Sequence, residues 1–157
     1  MRRYPIIGTL VSVAVVASAA LAQAEYGTAE EAKAMLLKAV AAVKADKAKA
    51  LDTFNKGEGG FLDRDLYPFC VNISDGVLLA VANPNGKQNL GKDVRGLKDA
   101  TGKPFGQEIY DAGQKPEGQI SEVNYEFARP GDPKPVPKVS YVTRVGDIYC
   151  GVGYYKK

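Results

Sequence analysis

Residues 138–155 read KVSYVTRVGDIYCGVGYY, and their alternation decides the fold. Successive side chains of an extended chain point to opposite faces, so Val139, Tyr141, Thr143 and Val145 share one side and Lys138, Ser140, Val142 and Arg144 the other. Gly146-Asp147 is a two-residue hairpin turn, and the run that follows it, 148–155, must return antiparallel. On that return Gly151 and Gly153 fall on the face of Tyr149 and Tyr155. Glycines alternating in a strand leave room for another backbone, a helix or a ligand.

Working outward toward the N-terminus, Val123, Tyr125 and Phe127 alternate with Glu122, Asn124 and Glu126, and the proline-rich residues 129–137 turn the chain into the strand at 138. Residues 66–73 and 77–82 are two further β-rich runs around Ser74-Asp75-Gly76, a hairpin signal. Tyr67, Phe69, Val71 and Ile73 share one face and Leu66, Pro68 and Cys70 the other, so both faces are at least partly covered. Between these strands and the last three lie residues 83–118, rich in Gly, Asn, Asp, Lys and Pro. They hold one helical stretch, in which Pro104 starts a helix carrying Phe105, Ile109 and Ala112. A long excursion of this kind inside a domain is more often functional than idle.

Upstream, Thr28 and Glu31 have the spacing of a capping box, and Leu36, Val40, Val43, Ala50, Leu51 and Phe54 recur at helical period until Gly57. One long amphipathic helix over about 28–56 is expected, its lysines forming a solvated face. The order helix, two strands, loop with short helix, three strands makes an α+β domain on a mostly antiparallel five-stranded sheet.

Residues 1–24 combine Arg2 and Arg3, an apolar run and the small residues Ala22-Gln23-Ala24, the order of a cleaved secretory signal. The apolar run is short and Ala-rich for a spanning helix, which needs roughly 20 apolar residues, and no cysteine precedes Cys70 to carry a lipid. The expected mature chain, 25–157, is one domain with no membrane span, periplasmic or secreted, its sheet and loop part covering about 61–155. Net charge is +3, falling to +1 without Arg2 and Arg3, and the charges are interspersed, so neither nucleic acid nor an anionic membrane is an expected partner.

The chain has no histidine, which removes the commonest general base and metal ligand together, and no cofactor is expected. Its two cysteines, Cys70 and Cys150, fall in strand-like runs of an exported chain. A disulfide is expected there, with two separately buried thiols as the alternative.

Phe61-Leu62-Asp63-Arg64-Asp65-Leu66-Tyr67-Pro68-Phe69 and Asp75-Gly76 resemble the opening of bacterial single Cache domains of the second type. Gly91-Lys92-Asp93, Leu97-Lys98-Asp99, Gly102-Lys103-Pro104-Phe105, Pro137 to Val142 and Gly151 to Tyr155 continue the likeness in the family's order. Ala82-Asn83-Pro84 stands where the family often has His-Pro, and the tryptophans common in its last strands are missing. The resemblance implies a PAS-like sensor fold: a long N-terminal helix packed on a five-stranded sheet, with a small-molecule pocket between sheet and crossing loop. It also implies a stand-alone, non-catalytic periplasmic module for a small organic acid or similar metabolite, with a membrane histidine kinase or chemoreceptor as partner. A protein-interaction module with a vestigial pocket, docking on an envelope sensor, is the alternative.

A small carboxylate needs a few directed donors in an apolar concave site. Candidates are Tyr67, Phe69, Tyr125, Lys138, Tyr141 and Tyr154, with Tyr110 and Phe105 on the short helix as a lid. Either the face of Lys138, Ser140 and Arg144 or the face of Tyr141 lines the pocket, not both. Catalysis by Asp63, Asp65 or Asp99 is not expected, since capping and turn duties explain these carboxylates and no histidine stands by to activate a nucleophile.

Overall fold

Thr28 opens the first helix in the computed structural model of this protein, which describes residues 25–156; the expected secretory signal, residues 1–24, lies outside the described residues. The Thr28 hydroxyl accepts from the Glu31 amide while the Glu31 carboxylate accepts from the Thr28 amide, the expected capping box. Helix α1 (Ala29–Ala45) then turns Ala32, Met35, Leu36, Ala39 and Val43 inward. The single helix expected over about 28–56 is in fact two. Asp46 leaves helical conformation, its carboxylate accepts from the Lys49 amide, and α2 (Lys47–Lys56) starts afresh from that cap. A short carboxylate that bonds nearby backbone competes with helix continuation, whereas the hydrophobic period runs on across the break.

Strands β1 (Pro68–Asn72) and β2 (Leu78–Val81) follow, then α3 (Pro84–Lys87), a 3-10 turn at Val94–Gly96, α4 (Phe105–Gly113), β3 (Ser121–Ala128), β4 (Pro135–Val145) and β5 (Ile148–Tyr155). The sheet order is β2-β1-β5-β4-β3 and every neighbouring pair is antiparallel. The α+β class and five-stranded sheet are as expected, and β5 is the central strand. Residues 83–118 carry more than the one helical stretch expected. Asn83 caps α3 and Asp93 caps the 3-10 turn, each through a side-chain oxygen accepting an amide two residues on. Such short turns are built by local side-chain bonding and show no hydrophobic period.

The sheet is buried on both faces, which gives two cores. On one, α1 and α2 cover Cys70, Ala80, Val145, Ile148, Cys150 and Val152. On the other, α4 and the crossing loop cover Tyr67, Phe69, Val71, Val123, Tyr125, Val142 and Tyr149. Cys70 and Cys150 pair directly across β1 and β5 and are joined in a disulfide on the helix-covered face.

Candidate functional site

Between α4, the crossing loop and the sheet lies a cavity of about 60 Å³, walled mainly by Phe69, Val71, Leu78, Val81, Val94, Leu97, Phe105, Ile109 and Phe127. The polar groups at its wall are those of Tyr67, Tyr125, Lys138 and Asn89.

Strand alternation puts Lys138 here. Lys138, Ser140 and Val142 face the crossing loop, all buried, and Lys138 retains only 2% of its surface. Its Nζ donates to Tyr67 Oη at 2.7 Å and lies 4.2, 4.8 and 5.5 Å from the ring centres of Tyr67, Tyr155 and Phe127. Aromatic faces attract a cation but do not neutralise it, and no carboxylate pairs with this ammonium among the described residues. Burial alone pushes the Lys138 ammonium down; the oxygens of Tyr125, Tyr67 and Tyr155 outweigh that and hold it above the ordinary lysine value. Near neutral pH, where the phenols are protonated, the bond to Tyr67 is what favours the ammonium.

Tyr67 is the hub of the polar end. Its oxygen accepts from Lys138 and, at 2.8 Å, from the Asn83 amide, while Asn83 also donates to the carbonyl of Ala128. Tyr155 spends its proton on that same carbonyl at 2.8 Å, so the 3.4 Å contact between the two phenols leaves the Tyr67 proton weakly engaged. Tyr125 Oη lies 2.8 Å from Ser140 Oγ, and its ring stacks on Phe105 with centres 4.5 Å apart. Burial pushes the Tyr125 and Tyr155 phenols above the usual tyrosine range, so both stay protonated donors near pH 7. The site thus pairs an uncompensated cation and phenol donors with an apolar remainder, chemistry suited to a small anion carrying a short apolar body.

The crossing loop is fastened to the exposed edge of the sheet. Asp99 Oδ2 accepts from the Glu126 amide of β3, Asp99 Oδ1 accepts from Thr101 and from the Lys103 amide, and Lys103 Nζ donates to the carbonyl of Asn124. Edge strands leave such groups unpaired, and here the loop that carries the cavity's roof takes them. The Thr101 hydroxyl, with the backbone amides of Glu126, Lys103 and Thr101, holds the Asp99 carboxyl down at about 2 against burial.

Of the residues singled out in the sequence, the structure gathers Tyr67, Phe69, Tyr125 and Lys138 at the cavity, with Phe105 in its roof. Tyr141 and Tyr154 pack against the other core, under α1, with ring centres 5.8 Å apart. Tyr110 donates to the carbonyl of Ile73 outside the cavity wall, with the Arg95 guanidinium 5.0 Å from its ring centre. Asp65 accepts from the Gly27 amide and lies 3.5 Å from Arg129, and Asp63 pairs with Arg64; neither carboxylate lines the cavity. Asn83, Phe127 and Tyr155 were not among the candidates. Tyr155 had a signal, since it alternates onto the face of Gly153; Asn83 follows no period and is placed by its turn.

A family model described as Single Cache domain 2 matches residues 8–156. Among solved structures, the chain is similar to a methyl-accepting chemotaxis protein from Vibrio parahaemolyticus RIMD 2210633, with 24% identity, TM-score 0.63, and 80% of this chain and 86% of that one covered. A periplasmic sensor domain of a chemotaxis protein aligns with 23% identity, TM-score 0.60, and 82% and 90% covered. A Cache chemosensory domain, described for its recognition of carboxylic acid, aligns with 20% identity, TM-score 0.58, and 82% and 88% covered. At these identities the likeness is one of fold. Among curated proteins none matches the sequence.

Proposed function

Since this chain belongs to the Single Cache domain 2 family, we propose that it is a periplasmic sensor module that binds a small organic acid in the cavity between α4 and the sheet. The observation that carries this reading is Lys138, a buried ammonium at the cavity wall with a phenol, not a carboxylate, as its hydrogen-bonded partner. A buried ammonium bonded only to a phenol keeps donors for a charge-assisted hydrogen bond, and a ligand carboxylate is the acceptor that fits it. The weakly engaged proton of Tyr67 is the second donor, and the apolar wall holds the rest of the acid. A cavity of about 60 Å³ favours a small acid with a short apolar body.

Binding without turnover is supported by the same lining, which carries no carboxylate to act as a general base among the described residues. The reading of residues 1–24 as a secretory signal supports a periplasmic site of action, and of the two expected partners the chemotaxis proteins with this fold support a chemoreceptor.

The test is a thermal-shift and calorimetric titration of the oxidised domain with acetate, propionate and lactate, against ethylamine, urea and glycine. A ligand at a hundredfold excess over its Kd stabilises by about 2.7 kcal/mol, so a short monocarboxylate is expected to raise Tm by several degrees. Lys138→Met should remove that response while the ligand-free domain stays folded, since methionine keeps the length and apolar packing of the lysine stem. An acid response that survives Lys138→Met, or a response to amines alone, would sink the reading.

A further inference from the structure

We propose that Gly153 is the positioning residue of the cavity: its missing side chain is the opening through which Lys138 crosses β5 to reach Tyr67. Lys138 stands on β4, Tyr67 immediately precedes β1, and β5 lies between those two strands. The side chain must therefore pass over β5 to place its Nζ 2.7 Å from Tyr67 Oη. The register shows where it passes. Ser140 is opposite Gly153, Lys138 is opposite Tyr155, and Pro68 is opposite Val152, so Gly153 sits on the path from Lys138 to Tyr67.

A Cβ placed on Gly153 would stand 2.2 Å from Lys138 Cε, 2.6 Å from Ser140 Oγ and 3.1 Å from the carbonyl oxygen of Val139. The carbonyl belongs to the β4–β5 ladder, so the lysine stem, the nearer of the two side chains, has to lift, and the Ser140 hydroxyl has to turn. With the stem goes the bond to Tyr67 and the ammonium's place at the cavity wall. Backbone conformation does not explain this glycine, because its φ is outside the positive region that nine other described glycines occupy. What remains is space. Gly151, two residues earlier on the same face, makes room in the same way for the ring of Phe69, which a Cβ would approach to 2.3 Å.

The consequence for recognition rests on the organic-acid reading above; the packing claim does not. Both are read from wild type, Gly153→Ala, Lys138→Ala and the double variant, all with the disulfide intact. Without ligand, Gly153→Ala is expected to lower Tm by several degrees in the wild-type background and by less than half as much in the Lys138→Ala background, where the crossing stem is gone. If Gly153→Ala alone does not fold, the double variant is expected to fold. With acetate and propionate, Gly153→Ala should weaken binding at least tenfold. Equal Tm losses in both backgrounds, a double variant that also fails to fold, or a Gly153→Ala protein with wild-type Tm and affinity would each overturn the proposal. A wild type that binds no acid while the Tm losses remain non-additive would instead count against the organic-acid reading and leave the role of Gly153 standing.

Discussion

Lys138 and Asp99 show how single side chains divide the work of this site. Lys138 donates to a phenol and to no carboxylate among the described residues, which leaves its ammonium able to meet an anion. Asp99 is spent entirely on the roof's attachment, bonding Thr101, Lys103 and the edge amide of Glu126. Its carboxyl is held at about 2 rather than the ordinary 3.8, so the charged form is favoured by the fold. A depressed pKa contributes stability that is present above the unfolded value and disappears as pH falls through the folded one. The Tm difference between wild type and Asp99→Ala should therefore be open near neutral pH and close between about pH 4 and about pH 2. A difference that stays constant across that window would show that the carboxylate is not the group that fastens the loop.

At the scale of elements, the break at Asp46 lets two helices follow a twisted sheet where one straight helix would leave it. The main sheet contacts of α1 are with β5 and β4, while those of α2 are with β2 and β1, so the two halves cover different parts of the same face. The Asp46 carboxylate is the cap that makes the second start possible. Asp46→Ala should cost about 1 kcal/mol, the usual value of an N-cap, and lower the urea midpoint without changing the response to organic acids. A stability gain would mean that a continuous helix is the better fit and the break is not imposed by the sheet.

For the molecule as a whole, the disulfide and the cavity lie on opposite faces of one sheet, each within its own core. The bridge closes a loop across 80 positions of sequence, and in the chain-entropy model that is worth about 4.5 kcal/mol. Reduced protein, or Cys70→Ala with Cys150→Ala, should lose stability on that scale in urea denaturation. Where the domain stays folded it should still bind acid, because the bridge lies on the opposite face of the sheet from the cavity. Equal urea midpoints for oxidised and reduced protein would contradict the first expectation, and loss of binding by a folded reduced domain the second.

Alternation, turns and caps are local, and so the strands, the hairpins at Asp75-Gly76 and Gly146-Asp147 and the start of α1 at Thr28 were all legible in the residues themselves. The break at Asp46 was not, because apolar spacing reports which face is buried and is blind to a side chain that captures a backbone amide. Nor were α3 and the 3-10 turn, which are too short for any period. For the site, alternation limited the choice to two faces of β4 but is symmetric between them. Which face meets the cavity was decided by packing: α1 and α2 claimed the side of Tyr141, and the crossing loop closed over the side of Lys138. The glycines of β5 announced that something had to fit there. Only the strand order, which sets β5 between Lys138 and Tyr67, made that something a lysine.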